Sequence, residues 1–319
     1  MSNKIVDGEK NKMKNLVRIV EVGLRDGLQS LPKFLPTSVK TRLLKLLVES
    51  GLKELEVTSF VSPRWVPQFK DAFKVTQESI KYHQVISKAL IPNMKGFNRA
   101  LEAGISNLVF VFSTSEKHNF KNLNMSVHDS LKELDAILKH VSTKHRVTLQ
   151  VNLATTFGYI DEKVILTRVL ELTDIILSMG ISKIVYCDTS GMAVPTQVEE
   201  LIQEVISRYK IIPGLHFHDT FGCAMANTIK SIENGVRIFE TSLGGLGGCP
   251  FLPGATGNIA TEDVVRALQK MNIDTGINLE QLLKAVYYLN SELKNNDFFT
   301  SKLFKATRIL PSGSNACLF

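Results

Sequence analysis

From about Val17 onward, short runs rich in apolar and β-branched residues alternate with longer stretches whose apolar positions recur every three or four residues. The first pattern is that of strands and the second that of amphipathic helices. It predicts eight strands, at 17–25, 53–60, 85–93, 107–114, 146–154, 183–188, 215–219 and 236–242, each followed by a helix. Thr37 precedes the Leu43/Leu44/Leu46/Leu47 stripe, and Asp161 precedes Val164/Ile165/Val169/Leu170, as helix-capping residues do. Pro195 stands early in another helix, where a missing N–H costs little. Gly51, Gly104, Gly180 and Gly235 lie just beyond helical stretches, where C-terminal caps fall.

Eight strand-then-helix units in about 250 residues match an α/β fold of the (β/α)8 TIM-barrel type. An open doubly wound sheet is the competing architecture, but no GxGxxG follows the first strand. From residue 277 a helical Leu/Val/Tyr pattern runs into a polar, basic tail, which predicts an appended C-terminal helical segment over part of the barrel rim. No linker interrupts the chain. One domain is therefore expected over 1–319, with the barrel at 17–272 and the extension at 277–319.

Composition narrows the partners. Of 319 residues, 44% are hydrophobic and 22% charged, which argues against wholesale disorder. The net charge of +7 is spread without a dense basic run, so nucleic acid is not an expected partner. No stretch approaches the ~20 apolar residues of a membrane span. The four cysteines form no CxxC pair, and the first fifteen residues are polar, lysine-rich and free of arginine. A cytoplasmic protein with reduced thiols is the expectation.

Reactive groups of such barrels stand at the C-terminal ends of the strands and in the loops beyond them. That rule gathers Arg25 and Asp26 at the end of strand one, Glu56 near the end of strand two and Asp188 at the end of strand six. His216 and His218 fall on strand seven; being two apart, both imidazoles face the barrel interior. Two inward histidines beside a carboxylate suit a divalent ion, Mg²⁺, Mn²⁺ or Zn²⁺, and the lack of a thiolate leans towards the harder ions. Arg25 either holds negative charge that builds on an oxygen or forms a structural salt bridge with Glu56 or Asp188. The strand-eight exit carries Gly244, Gly245, Gly247 and Gly248 ahead of Cys249, a density that reads as a flap or a close approach to ligand. Cys249 is either an incidental loop cysteine or a proton donor or acceptor on that flap.

The segments VEVGLRDGLQ, LEVTSFVSPRWVPQ, IPNMKGF, HFHDTFG and GGLGGCPFLPGATGNIATED resemble the signature stretches of the 3-hydroxy-3-methylglutaryl-CoA lyase family, in register from about Val20 to Val265. The resemblance implies a (β/α)8 barrel and a metal, Mg²⁺ or Mn²⁺, held by Asp26, His216, His218 and Asn258. It implies Arg25 as the enolate stabiliser, Cys249 as the flap thiol, Asp26 or His216 as the base for the substrate hydroxyl, and Glu56 and Asp188 as supports. Arg25, Gln29 and Glu56 would contact an acyl-CoA substrate. The implied reaction cleaves 3-hydroxy-3-methylglutaryl-CoA to acetoacetate and acetyl-CoA, in leucine degradation and ketone body formation. Gln150 stands where the family pattern has an aromatic residue, and the chain departs again around His118 and from Leu153 to Gly158. Those departures lead to the expectation of a changed acyl subsite. A lyase for a longer 3-hydroxy-3-alkylglutaryl-CoA, or another metal-dependent aldolase or Claisen-type barrel enzyme, is the alternative. Barrels of this kind commonly form homodimers, although no surface stripe marks a dimer face.

Overall fold

A computed structural model describes residues 16–144, 146–160, 162–248, 257–294 and 296–309. Eight strands, β1 Arg18–Glu21, β2 Glu54–Ser59, β3 Ile86–Ile91, β4 Asn107–Ser113, β5 Thr148–Ala154, β6 Ile184–Asp188, β7 Gly214–Phe217 and β8 Ile238–Thr241, pair in chain order and close on themselves. Every neighbouring pair is parallel, including β8 with β1. The helices between them return the chain to the start of the next strand, as a parallel barrel requires.

Alternation along the strands sorts the side chains. On β7, Leu215 and Phe217 join the apolar layer between barrel and helices, as do Phe110 and Phe112 on β4 and Tyr186 on β6. The other face is unusually polar for a barrel interior, where branched aliphatic residues normally dominate. Glu56, Gln150, Asn152, His216 and Glu240 are all buried there and are linked by hydrogen bonds to one another or to Arg25. A barrel core carrying this much desolvated charge is held for something other than packing.

Local signals fall close to where the sequence puts them. Pro195 opens helix Pro195–Tyr209, and Gly51, Gly104, Gly180 and Gly235 all take positive φ at helix ends. Thr37 is the first residue of helix Thr37–Glu49 rather than its cap; its hydroxyl donates to Asp71 at 2.8 Å. Asp161 lies outside the described residues.

One boundary differs in a way that matters. β1 ends at Glu21, not at Arg25. The chain then turns through a π-helical segment, Gly23–Gly27, in which the N–H groups of Arg25, Asp26 and Gly27 all approach the Val22 carbonyl at 2.7–3.3 Å. Gly23 is required: a Cβ there would sit 2.5 Å from Glu21 Oε1. Such wide turns recur at functional sites because they re-aim side chains that a strand would alternate. The apolar run through Val22 and Leu24 disguised this turn as strand.

The C-terminal extension is mostly helical where described. Helix Leu279–Leu293 packs on helix Thr37–Glu49, and the chain then reaches the strand-eight exit, where the N–H groups of Thr300 and Ser301 donate to the Gly244 carbonyl at 2.9 and 3.2 Å. A last helix, Lys302–Ile309, is capped by Asp263, which accepts from the N–H groups of Lys302 and Leu303 at 2.7 and 2.8 Å. No described helix is long and apolar enough to cross a membrane.

Candidate active site

At the C-terminal end of the barrel lies a cavity of about 940 Å³, lined by Arg25, Asp26, Gln29, His118, His216 and His218 among others. Its volume is in the range of small-molecule and cofactor sites. Three elements build its floor. The π-helical turn after β1 presents Arg25 and Asp26, β7 presents His216 from its third residue, and His218 follows just past the strand end. The segment after β8 folds back so that Ile259 N–H donates to the Phe217 carbonyl at 3.0 Å and Asp219 N–H to the Gly257 carbonyl at 3.1 Å. This pairing sets Asn258 beside His218.

The result is a tight polar cluster. His216 Nε2 and His218 Nε2 lie 3.9 and 3.7 Å from the same oxygen of Asp26, Oδ2. The two imidazoles stack with centroids 5.2 Å apart. One donor atom from each of the three residues falls within 4.8 Å of the others. Asn258 Nδ2 donates to Asp26 Oδ2 at 2.7 Å and to the Leu246 carbonyl at 2.9 Å, while Asn258 Oδ1 is buried with no hydrogen-bond partner. A buried amide oxygen without a partner is costly. Coordination to a cation, with the amide turned so that Oδ1 faces Asp26 and the imidazoles, would relieve it, and the donor set fits a divalent ion.

Arg25 lies between two carboxylates. Nη1 donates to Asp26 Oδ1, and Nη2 donates to Glu56 Oε2 at 3.0 Å. The ion pair anticipated from sequence therefore exists, with Glu56 rather than Asp188, and it places the guanidinium at the cavity wall. Burial works against the charge on Arg25, but Glu56 and Asp26 outweigh it and bind its proton more firmly. Burial would likewise raise Asp26; Arg25, His216 and His218 overcome it and hold the carboxyl well below its ordinary range. Glu56 itself is pushed up by burial despite Arg25. It stands in the middle of β2, not near its end.

Asp188 closes β6 as expected, yet it does not reach Arg25. Its two oxygens accept from the N–H groups of Met192 and Ala193 at 2.9 and 3.0 Å, which shapes the loop after β6, and burial lifts its carboxyl to about 7. Gln29 is half-buried on the cavity wall. Gly244, Gly245, Gly247 and Gly248 all have positive φ, and Gly248 also lines the cavity. Gly247 passes so close to the site that a Cβ would lie 2.5 Å from Asn258 Nδ2 and 3.2 Å from the Asp26 carbonyl. Cys249 lies outside the described residues.

Two departures from the resembled pattern are now placed. His118 lines the cavity, with Nδ1 2.5 Å from Ser113 Oγ and its ring against Tyr159. Burial, helped by Lys121, lowers it to about 4, so it presents a neutral imidazole. Gln150 is different: it stands early in β5, at its third residue, and it bonds Glu240 and Asn152 inside the barrel rather than lining the cavity. The expectation that Gln150 reshapes the acyl subsite is corrected by this position; side chains pointing inward from the middle of a strand lie beneath the site, not in its mouth.

Sequence reading missed two further residues. Cys187, one residue before the end of β6, lines the same cavity, and burial raises its thiol well above the ordinary value, so it is an inert wall. Glu240 on β8 accepts from His216 Nδ1 at 2.9 Å. An acidic residue following Ile238 and Phe239 in a short strand was the available signal.

Comparison with known proteins agrees with this geometry. The HMGL-like family model matches residues 16–288. Hydroxymethylglutaryl-CoA lyase YngG of Bacillus subtilis (strain 168) is 40% identical over 282 residues, covering 87% of this chain and 93% of its own length. The mitochondrial hydroxymethylglutaryl-CoA lyase of Homo sapiens is 39% identical over 293 residues, 91% of this chain and 89% of its own. Among solved structures, the HMG-CoA lyase of Bacillus subtilis superposes with a TM-score of 0.87 at 37% identity, covering 92% of this chain and 98% of that one. An HMG-CoA lyase from Acinetobacter baumannii, in complex with coenzyme A and 3-methylmalate, gives 0.87 at 36% identity, covering 93% and 98%. With the model spanning most of the sequence and these relatives matched nearly end to end, the chain belongs to the HMGL-like family.

Proposed function

We propose that this protein is a divalent-metal-dependent carbon–carbon lyase that cleaves 3-hydroxy-3-methylglutaryl-CoA to acetoacetate and acetyl-CoA. The observation that carries the reading is the convergence of Asp26, His216 and His218 beside the Arg25 guanidinium on one cavity wall, with Asn258 hydrogen-bonded to Asp26, in a chain of the HMGL-like family.

Asp26, His216 and His218 would hold the ion, with Asn258 as a fourth ligand once its amide turns its oxygen inward. Mg²⁺ or Mn²⁺ suits a set of two imidazoles, a carboxylate and an amide without thiolate. Bound there, a dication supplies Lewis acidity that lowers the pKa of the substrate's tertiary hydroxyl.

The rest of the chemistry belongs to the chain's own groups. We assign removal of the C3 hydroxyl proton to Asp26 rather than His216, because a His216 that gives Nε2 to the ion and its Nδ1 hydrogen to Glu240 keeps no free nitrogen. As that oxygen's electrons form the new ketone, the C2–C3 bond breaks and its pair passes to the thioester as an enolate. Arg25, fixed by Glu56 and permanently charged, stabilises that developing oxyanion. Protonation at C2 then gives acetyl-CoA, and Cys249 is the thiol we assign to that transfer. Gly248, on the cavity wall, immediately precedes Cys249 in the sequence, which supports that assignment. Gln29 adds a polar group to the cavity wall; Glu56, buried beneath it, acts through Arg25 rather than on the substrate, and Asp188 braces the loop after β6.

Acetoacetate release from 3-hydroxy-3-methylglutaryl-CoA tests the proposal. Turnover is expected with Mg²⁺ or Mn²⁺, and it should vanish with excess chelator and return when metal is restored. Cleavage that continues in chelator, or no cleavage with either metal, would overturn it.

A further inference from the structure

The His216 ring is gripped from both sides. One nitrogen, Nε2, faces Asp26 Oδ2; the other, Nδ1, lies 2.9 Å from Glu240 Oε2. Glu240 is fully buried and takes two further hydrogen bonds: Asn152 Nδ2 donates to Oε2 at 2.8 Å, and Gln150 Nε2 donates to Oε1 at 2.8 Å. Gln150 is itself oriented, because its amide oxygen accepts from Lys88 Nζ at 3.1 Å, and Lys88 pairs with Glu54 at 2.8 Å. A chain of polar contacts thus runs from β2 through β3, β5 and β8 to the histidine on β7.

Its direction follows from chemistry. Asn152 and Gln150 present amide N–H groups, which only donate, so the carboxylate between them acts as acceptor throughout. Nδ1 of His216 must then carry a hydrogen, and in the neutral ring Nε2 keeps the lone pair that a cation beside Asp26 would take. A metal ligand needs that nitrogen bare and its ring held still.

We propose that Glu240 is a positioning residue, which fixes the tautomer and ring plane of His216 so that Nε2 faces the cation, and that Gln150, steadied by Lys88, holds Glu240 in place for this task. The proposal rests on the metal reading above and deepens it: it names the group that prepares one ligand before any ion arrives. Glutamine at 240 would keep the shape but oppose one of the two amide N–H donors with another, so the grip on His216 would loosen.

The test uses the full chain and Mn²⁺ as probe. Long-range ¹H–¹⁵N spectra of the metal-free protein, recorded at a pH high enough for the ring to be neutral, should show His216 protonated on Nδ1 and bare on Nε2; the opposite tautomer would overturn the proposal without any mutation. A Mn²⁺ titration followed by electron paramagnetic resonance should give a dissociation constant weakened roughly 10–100-fold in Glu240→Gln, the range for loss of a ligand's orienting partner. Gln150→Leu spares the His216–Glu240 contact, so it should fold readily and weaken binding by a smaller factor, with mixed tautomers at His216. Unchanged Mn²⁺ affinity and an unchanged tautomer in folded variants would overturn the positioning role alone. Failure of the unmodified chain to bind Mn²⁺ would overturn the metal reading, and this proposal with it.

Discussion

Arg25 is the residue on which charge control turns. It is buried between Glu56 and Asp26, so its position is set before substrate binds. Removing one preorganised oxyanion donor costs about 10²–10³ in turnover in other enzymes. Arg25→Gln should fall in that range, with the circular dichroism spectrum preserved; near-normal turnover at saturating metal would remove the enolate role. For Cys249→Ala the expected result is a large loss in kcat with little change in KM, and unchanged steady-state kinetics would take the thiol out of the mechanism. Gly247→Ala is a steric test of the same floor. With φ at +110° and a Cβ 2.5 Å from Asn258 Nδ2, the substitution must displace Asn258. Weaker Mn²⁺ binding and lower turnover should appear together. At this scale the sequence was legible where alternation does the work, since the H-x-H spacing on a strand puts both imidazoles on one face. It was silent on Asn258, which alone reads as a turn residue, and on Glu240, whose partners lie on strands far away in sequence.

The elements around the strand-eight exit are tied down by two buried carboxylates. Glu21, at the end of β1, accepts from Gly23 N–H at 2.7 Å, Leu243 N–H at 2.8 Å and Thr261 Oγ1 at 2.6 Å. Glu262 accepts from Gly244 N–H at 3.0 Å. Burial raises Glu21 to about 7 and, with Asp263 adding to it, raises Glu262 to about 8. Unfolded carboxyls titrate near ~4.3, so the folded state holds these protons at higher pH than the unfolded chain does. The stability they contribute is full below ~4.3 and is lost as pH rises through 7 and 8. Asp188, at about 7, acts in the same sense. His118 acts oppositely, since its value near 4 favours folding as pH rises from there to ~6.5. Thermal midpoints of the metal-free protein should therefore fall from about pH 4.5 to 8 and level off above it, and Glu21→Gln should flatten part of the decline below pH 7. A midpoint that rises across this range would contradict the assignment. The strand count and nearly all strand positions were readable from periodicity. The π-helical turn was not, because a widened turn leaves no period of its own and the apolar residues on either side continue the strand pattern.

For the molecule as a whole, the barrel closes the ladder and the C-terminal extension braces the one end where chemistry is placed. Phe299 packs within reach of Gly244, and the N–H groups of Thr300 and Ser301 bind its carbonyl, so the start of the glycine-rich segment is anchored while its far end leads to Cys249. Asp263 joins this brace to the barrel by capping helix Lys302–Ile309. Asp263→Ala should cost about 1 kcal/mol, typical of a lost cap, seen as a fall of a few degrees in the thermal midpoint. An unchanged midpoint would mean that the extension does not share the barrel's unfolding transition. The sequence told of a helical extension at the rim; where it grips could not be read, since Asp263 and the Gly244 carbonyl meet backbone N–H groups that nearly any residue carries. The claim beneath the whole account is that side chains from the first, seventh and eighth units share one dication and that cleavage depends on it. The most direct measurement is Mn²⁺ stoichiometry and affinity alongside thioester cleavage for the unmodified chain and for Asp26→Ala, His216→Ala, His218→Ala and Asn258→Ala. One ion per chain is expected, with affinity and turnover falling together in all four variants; full-affinity binding or sustained cleavage in those variants would contradict it.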